Sequence, residues 1–164
     1  MSDAIEPPRR IHLATGLALH DGRVLLVAST YPSHDGPLWN LPGGRQQPGE
    51  LLAQTVVRET REETGLIARV GDVAYVSESY DGTTHVLNVT FTMEVRGEIV
   101  LPRRDDHIAD VRWVSHAQIA TVMQVAVVRD PLLAYLERGR RYAGYPEAGI
   151  SVIWPDENAS RSTT

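Results

Sequence analysis

Apolar runs rich in β-branched residues alternate with short turn segments along the first two thirds of the chain. An Asp-Gly pair follows each of two such runs, at 21–22 and 81–82, which favours two β-hairpins. The segment between residues 31 and 38 contains two prolines and a glycine and is expected to be a loop. The pattern predicts strands at Ile11–Leu19, Val24–Ala28, Leu66–Tyr80, Thr84–Val95 and Val111–Val114.

A helical pattern follows the glycine pair at 43–44. We expect a helix from about Pro48, which suits a first helical turn, to about Glu63, with Gly65 ending it. Two later segments are also expected to be helical, His116–Val122 and Pro131–Arg138. Strands, one central helix, more strands and then helices predict an α/β (α+β) protein with a mixed sheet and helices packed on it.

The length of 164 residues suits one domain with its own core. We expect residues 1–10 to form a flexible N-terminal arm, residues 11–155 the single domain, and residues 156–164 a polar tail that frays. The sequence leaves open the role of Arg140–Trp154 and whether the chain forms a homodimer.

Composition narrows the class of partner and compartment. The formal net charge of -5 argues against a stable nucleic-acid complex, but a small phosphorylated ligand remains compatible because local charge and bound metal decide its binding. Cysteine is absent, which excludes disulfides and thiolate metal sites and suits a reducing compartment. The first ten residues lack an apolar signal-peptide core, and no stretch approaches the roughly 20 apolar residues of a membrane span. We therefore expect a cytoplasmic protein.

The predicted central helix carries three glutamates beside its apolar stripe. At about 100° per residue, Glu59 and Glu63 each lie about 20° from Leu52, and Val56 about 40° from it. Glu62 lies about 80° away, at the flank of the stripe. The acids therefore continue the inward face of the helix, whereas a solvated charged face would point away from it.

Carboxylates gathered on an inward face repel one another and lose hydration unless a cation joins them. Arg58 can orient one of the three but cannot neutralise all of them. A hard divalent cation such as Mg²⁺ can, since it prefers oxygen ligands and shares its shell with water and phosphate. The alternative is a surface helix whose acids pair with Arg58 and Arg61.

The same stretch resembles the Nudix box, in which a glycine is followed at set spacings by Glu, Arg-Glu, Glu-Glu, glycine and an apolar residue. The matching positions are Gly44, Glu50, Arg58, Glu59, Glu62, Glu63, Gly65 and Leu66. Thr60 departs from the pattern, because an apolar residue is expected there. The resemblance implies a Nudix α/β/α sandwich over roughly residues 11 to 138.

The resemblance also implies roles for the box residues. Glu59, Glu62 and Glu63 would bind Mg²⁺, or Mn²⁺ in its place, and act in catalysis together with Arg58, which would hold Glu59. The backbone carbonyl of Gly43 would reach a metal, and Glu50 would support the site or bind a further ion. The implied reaction is attack of water on a phosphorus of a nucleoside diphosphate linked to another group.

The general base and the substrate contacts are less constrained. In some Nudix enzymes a loop glutamate takes the proton; here that loop offers Asp106 or His107, and a box glutamate is the alternative. Arg103, Arg104 and Tyr80 are candidate substrate contacts, because arginine forks onto phosphate and aromatic rings stack on bases.

Three functions remain open at this point. The chain would be a nucleoside diphosphate-sugar or ADP-ribose pyrophosphatase, or a nucleoside triphosphate pyrophosphatase. The third alternative is a catalytically silent Nudix domain that senses a nucleotide or acts as a scaffold. Silent domains usually have a broken box, whereas this box keeps all its acids.

Overall fold

The computed structural model describes residues 9–102 and 107–148. This part of the chain forms eight strands and three helices. The strands are β1 (Arg10–His20), β2 (Arg23–Ser29), β3 (Leu38–Asn40), β4 (Gly43–Arg45), β5 (Ile67–Asp81), β6 (Thr84–Arg96), β7 (Ile108–Ser115) and β8 (Tyr142–Tyr145). The helices are α1 (Leu52–Thr64), α2 (His116–Val122) and α3 (Ala126–Arg138). Within these two ranges, none of the helices has the length and apolar character needed to cross a bilayer.

The strands join in one mixed sheet with the order β3-β2-β1-β6-β5-β8. β1 runs parallel to β6, and β5 and β6 form a long antiparallel hairpin. β4 adds to β1 and β7 adds to β2, both antiparallel. The predicted mixed sheet is confirmed, and β1 is its central strand, since it contacts β2, β4 and β6.

Both predicted hairpins are present. Asp21 and Gly22 join β1 to β2 with φ angles of 48° and 69°. Positive φ at both central residues is typical of the type I′ turn, whose twist matches that of the flanking strands. In the second hairpin Asp81 pairs with Thr84, and Gly82 between them has a φ of 58°.

Helix α1 begins at Leu52, later than the predicted start at Pro48. Gly49 has a φ of 84°, a left-handed conformation through which a right-handed helix does not continue. The preceding residues form a turn instead, in which the N–H of Glu50 donates to the carbonyl of Gln47 at 3.1 Å. The prediction of the start was wrong because proline tolerates a first helical turn without requiring one.

The other end of α1 lies where it was predicted. Gly65 has a φ of 77°, and its N–H donates to the carbonyl of Arg61 at 2.9 Å, so the helix ends in a left-handed cap. Thr60, the position that departs from the box pattern, is fully buried, and its hydroxyl donates to the sulfur of Met93 at 3.7 Å. The threonine therefore packs into the core as an apolar residue would.

The helices cover both faces of the sheet, because successive strand residues point to opposite sides. On one face, Val56 of α1 packs in a core cluster with Leu25 of β2. On the other face, Ile119 of α2 and Leu132 of α3 pack in a second cluster with Leu26 of β2. Neighbouring residues of one strand thus enter two different cores, and the arrangement is a layer of helix on each side of a sheet.

The predicted span of one C-terminal helix is confirmed, and the predicted start of the other is wrong. α2 spans His116–Val122 as predicted, whereas α3 begins at Ala126 and not at Pro131. The first turn of α3 closes when the N–H of Arg129 donates to the carbonyl of Val125 at 2.9 Å. Pro131 lacks such an N–H, but it is buried, and that burial offsets part of the cost of the missing bond.

The stretch whose role was left open contains a short edge strand. Residues 142–145 pair in parallel with residues 76–79 of β5. Arg141 supports this pairing, since its Nε donates to the carbonyl of Ala74 at 3.1 Å. A four-residue strand with an internal glycine carries little local signal, so its pairing depends on the exposed edge of β5.

Candidate functional site

Helix α1 brings two of its glutamates to the backbone of β4. Glu63 is 7% exposed, and its Oε2 accepts the N–H of Gly43 at 3.0 Å. The side chain of Glu59, one turn earlier, is 17% exposed. Glu62 lies at the flank of the helix with its side chain 55% exposed. Their burial follows the order of their predicted angles from the apolar stripe.

The two glycines of β4 leave no room for a side chain. A Cβ at Gly44 would lie 2.6 Å from Oε1 of Glu59. A Cβ at Gly43 would lie 2.2 Å from the carbonyl oxygen of Ala14, and Gly43 also has a left-handed φ of 151°. The glycine pair therefore allows backbone and carboxylates to approach each other closely.

Arg58 is the cation around which the acids are arranged. Its Nε and Nη2 bind Oε1 and Oε2 of Glu50 at 2.5 and 3.1 Å. Its Nη1 binds Glu59 at 2.8 Å and Glu62 at 3.1 Å, and Nη2 also donates to the carbonyl of Arg45 at 3.1 Å. We expected Arg58 to orient one of the three helix glutamates; it contacts two of them, because a guanidinium presents five donors in a fork.

Glu50 is fixed in front of the helix on both of its oxygens. Besides Arg58, its Oε2 accepts the N–H of Gln47 at 3.0 Å and the hydroxyl of Thr55 at 2.9 Å. The hydrogen bond from Arg58 is the largest influence that lowers the pKa of Glu50, from 4.5 to about 2. The same pair raises the pKa of Arg58. These contacts suit a supporting role for Glu50.

The carboxyl of Glu59 has a different environment. Burial is the largest influence on it and raises its pKa above 4.5, and the negative charge of Glu62 adds to that shift. Arg58 opposes the shift through its hydrogen bond and charge, and His107 acts on Glu59 in the same lowering direction. A buried carboxylate whose ionised form is disfavoured gains most from a nearby cation.

No three acidic or histidine side chains within residues 9–102 and 107–148 stand in an arrangement that could hold a metal ion by themselves. The contacts of Arg58 account for this, because they draw Glu50, Glu59 and Glu62 towards the guanidinium. Any ion bound here would take some of its ligands from water or from a phosphate, as Mg²⁺ commonly does in proteins.

A cleft of about 460 Å³ opens on the face of the sheet that α3 covers, and its lining includes Asn40, which precedes Gly43 by three residues. Its lining includes Leu13 of β1, Trp39 of β3, Asn88 of β6 and Val128 of α3. Tyr31 also lines it, and the charge of Glu63 contributes, after burial, to a raised pKa of this tyrosine. The charge of Glu63 thus acts on a side chain that lines the cleft.

The remaining predicted residues are placed as follows. Asp106, Arg103 and Arg104 lie outside the described residues. The backbone carbonyl of His107 accepts the N–H of Thr30 at 2.7 Å, which fixes the end of its loop beside β2. Tyr80 stacks on His85, with ring centroids 4.8 Å apart. It alternates along β5 with residues 79 and 81, which line the cleft, and so its side chain lies on the opposite face.

Sequence reasoning missed the polar residues at the base of the cleft. Asn88 contacts Thr15 and Thr90, which are 4% and 0% exposed. Polar residues amid apolar strand positions were the available signal, because buried hydroxyls and amides need partners. Their pairing could not be inferred without the register that places β1 next to β6.

Comparison with known proteins agrees with this geometry. A family model for the NUDIX domain matches residues 10–136, most of the 164-residue chain. The ADP-ribose pyrophosphatase of Methanocaldococcus jannaschii is 36% identical over 84 residues, covering 50% of this chain and 49% of that protein. The putative 8-oxo-dGTP diphosphatase 3 of Mycobacterium tuberculosis is 35% identical over 119 residues, covering 65% and 54%. This chain thus spans about half the length of these two relatives.

A third relative and two solved structures cover more of both chains. The phosphatase NudJ of Escherichia coli is 29% identical over 137 residues, covering 80% of this chain and 86% of that protein. The MutT protein of Methanosarcina mazei superposes with a TM-score of 0.69 at 25% identity, covering 82% and 98%. A NUDIX hydrolase of Nitrosomonas europaea gives a TM-score of 0.69 at 22% identity, covering 87% and 97%, and shows a shared fold. Family model, box residues and fold agree, and the chain belongs to the NUDIX domain family.

Proposed function

We propose that this protein is a Mg²⁺-dependent pyrophosphohydrolase that cleaves the pyrophosphate linkage of a nucleoside diphosphate derivative. The observation that carries the proposal is the placement of Glu59 and Glu63 against the glycine pair of β4, beside a cleft lined by Tyr31 and Trp39. A phosphate chain at the glycine pair would leave its nucleoside in the cleft. Aromatic side chains and mixed polar and apolar walls suit such a ligand.

The residues present fit a hard divalent ion shared with the substrate. Glu59, Glu62 and Glu63 offer oxygen ligands alone, the donor type that Mg²⁺ and Mn²⁺ prefer. Gly44 lies so close to Glu59 that a Cβ would contact the carboxylate, so the backbone is part of the same surface. In this proposal the carbonyl of Gly43 is a further oxygen ligand. A bound ion would neutralise phosphate charge and activate water.

Neighbouring groups of the protein hold the carboxylates in place. Arg58 holds Glu59 and Glu62 through one nitrogen and Glu50 through two others, so it sets the direction of three carboxylates. Glu63 is held separately by the backbone N–H of Gly43. In this proposal Glu50 and Arg58 are positioning residues, and the three helix glutamates contact the ion.

The proton from the attacking water has two candidate acceptors besides the box glutamates. His107 is the first candidate, and its backbone is held beside β2, where its carbonyl accepts the N–H of Thr30 at 2.7 Å. Asp106 is the second. A pH–rate profile of His107→Ala distinguishes them, because loss of the group that accepts the proton changes the ionisation that limits the rate. An unchanged profile removes His107 from the mechanism.

Two substrate classes fit the proposal. The relative from Methanocaldococcus jannaschii is named an ADP-ribose pyrophosphatase, and that from Mycobacterium tuberculosis a putative 8-oxo-dGTP diphosphatase. We therefore retain nucleoside diphosphate-sugars, including ADP-ribose, and nucleoside triphosphates. Product analysis separates them: the first class gives two monophosphates, and the second gives a nucleoside monophosphate and pyrophosphate.

The proposal is tested by incubating the protein with both substrate classes in the presence of Mg²⁺ and then with excess chelator. Turnover of at least one class, its loss on chelation and its return with Mg²⁺ or Mn²⁺ are expected. A melting temperature that rises with Mg²⁺ gives a second readout, since an ion that binds only the folded state stabilises it. Tight nucleotide binding without turnover at any ion concentration would overturn the proposal in favour of a silent, nucleotide-sensing domain.

A further inference from the structure

The base of the cleft carries a network of polar side chains that spans β1 and β6. The hydroxyl oxygens of Thr15 and Thr90 are buried and lie 2.8 Å apart. Asn88 stands two residues before Thr90 on β6 and therefore points to the same face. Its Nδ2 donates to Thr15 at 3.2 Å and to Thr90 at 3.0 Å, and Asn88 lines the cleft.

Counting protons fixes the orientation of the Asn88 amide. The two threonine hydroxyls carry one proton each, and the 2.8 Å contact between them uses one. If the amide were rotated so that its oxygen took the place of Nδ2, both threonine hydroxyls would have to donate to that oxygen. No proton would then remain for the 2.8 Å contact between the two threonines. The observed orientation needs no such proton, because Nδ2 supplies one hydrogen to each hydroxyl. The amide nitrogen is thereby saturated, and the carbonyl oxygen, which accepts the hydroxyl of Thr15 at 3.3 Å, keeps one lone pair for a ligand.

The neighbours of Asn88 make this acceptor selective. In the sheet it lies between Leu13 of β1 and Ser77 of β5, and all three residues line the cleft. Ile11 and Val86 extend the apolar surface on the same face. A ligand acceptor placed against the Asn88 oxygen would leave two acceptors facing each other, which is costly.

We propose that Asn88 is the residue that selects the nucleobase, and that its carbonyl oxygen accepts a hydrogen bond from an exocyclic amino group. The preferred substrates then carry adenine or cytosine, or guanine through its 2-amino group, whereas the oxo counterparts hypoxanthine and uracil offer no amino donor. This inference rests on the proposed function and names the base class of its substrate. Thr15 and Thr90 act as positioning residues, since they hold the amide in the orientation that presents oxygen.

The test compares bases that carry either an amino or an oxo group at the same carbon, a change that also turns the adjacent ring nitrogen from an acceptor into a donor. kcat/KM is measured for ATP against ITP, CTP against UTP, and ADP-ribose against its hypoxanthine analogue, in whichever series is hydrolysed. The wild-type protein should prefer the amino member at least about tenfold, because a site built to accept a hydrogen bond rejects an analogue that lacks the donor. Asn88→Ala should bring the ratio to within about twofold. A wild-type ratio near one overturns the inference.

Two controls separate selection from general damage. Val86→Ala removes apolar surface from the same strand face and should weaken both members of a pair equally. Ser77→Ala removes the neighbouring hydroxyl and should keep the preference; loss of preference in Ser77→Ala and its retention in Asn88→Ala would assign selection to Ser77. Circular dichroism checks that each variant is folded.

A binding measurement keeps the inference testable without turnover or a folded Asn88 variant. Calorimetry on the wild-type protein should show AMP binding at least about tenfold more tightly than IMP, and equal affinities would contradict the inference. If no substrate is hydrolysed but AMP outbinds IMP and Asn88→Ala removes that difference, the proposed function fails and the inference stands. Hydrolysis with no preference between amino and oxo bases would overturn this inference and leave the proposed function standing.

Discussion

The four glutamates of the box segment are chemically identical but have four different surroundings. Glu50 is held on both oxygens, mainly by Arg58, whereas Glu63 is buried against a backbone N–H. Glu59 is enclosed, and its pKa is raised by burial, while Glu62 is half exposed. Because position and partners differ, the same substitution should have different effects at each of them.

At Glu63 we expect Glu63→Gln to lower kcat/KM by at least about a hundredfold while the fold persists, since the change removes a charge and little volume. Steady-state kinetics on a hydrolysed substrate, with circular dichroism, measures this. The matched control is Glu94→Gln, the same change at a side chain that is 82% exposed, and it should leave kcat/KM unchanged. Activity of Glu63→Gln above a tenth of the wild-type value would contradict the role of Glu63.

Glu50 should make the protein sensitive to acid. Its pKa falls from 4.5 to about 2 on folding, chiefly because Arg58 donates to it, so the ionised form stabilises the folded state. That contribution is complete above pH 4.5 and is lost as the pH falls towards about 2.

Denaturant unfolding between pH 2 and pH 7 tests this expectation. Glu50→Gln should lower the free energy of unfolding at neutral pH and flatten its decline in the acid range. Glu94→Gln should reproduce the wild-type curve, since that carboxylate is exposed. Parallel curves for wild type and Glu50→Gln would show that the Arg58 pair does not account for the acid response.

At the scale of elements, the site depends on how closely α1 approaches β4. The glycine pair lets the short strand lie against the helix, and β4 is in turn held by pairing with β1. Since β1 also pairs with β6, which carries Asn88, one strand connects the box to the base of the cleft. Small displacements of β4 should therefore affect activity more than stability.

Gly44→Ala tests this coupling. The added Cβ would lie 2.6 Å from the Glu59 carboxylate, so we expect at least about a tenfold loss of kcat/KM as that side chain is displaced. Gly22→Ala is the control: its φ of 69° is strained for alanine, but its Cβ would meet nothing within 4 Å. It should lower the free energy of unfolding by about 1–2 kcal/mol and retain full activity. Equal activity in both variants would show that the close approach at Gly44 is unnecessary.

At the scale of the whole molecule, the sheet is stabilised by two separate cores. α1 covers one face and carries the box, whereas α3 covers the other and contributes Val128 to the cleft wall. The proposed site thus requires both layers to be packed at once. Damage to the core under α3 should therefore reach the cleft, because Val128 belongs both to that core and to the cleft lining.

Leu132→Ala tests the second core. Leu132 is 0% exposed, and its truncation should cost about 2–5 kcal/mol of unfolding free energy through lost burial and an unfilled cavity. Leu19→Ala, at a position 57% exposed, should change it by less than about 0.5 kcal/mol. Urea unfolding of the two variants measures both values. A Leu132→Ala variant as stable as Leu19→Ala would show that α3 is not part of the cooperative core.

The sequence by itself determined the features that depend on residues only a few positions apart in the chain. The Asp-Gly turns, the glycine that ends α1 and the angles that turn Glu59 and Glu63 inward follow from backbone preferences and a helical period, which act within a few residues. The box residues were identified by their spacing for the same reason. The start of α1 was missed because the left-handed Gly49 carries no signal distinct from any other glycine.

Only the tertiary structure decided which distant residues meet. Thr15 contacts Asn88 and Thr90 because β1 and β6 run in parallel at one register, and Gly43 meets Glu63 because β4 pairs with β1 under α1. β8 formed because β5 offered a free edge to a segment with little strand preference of its own. Register and layer packing are set by the summed burial of many side chains, and that sum is invisible in any short stretch of the chain.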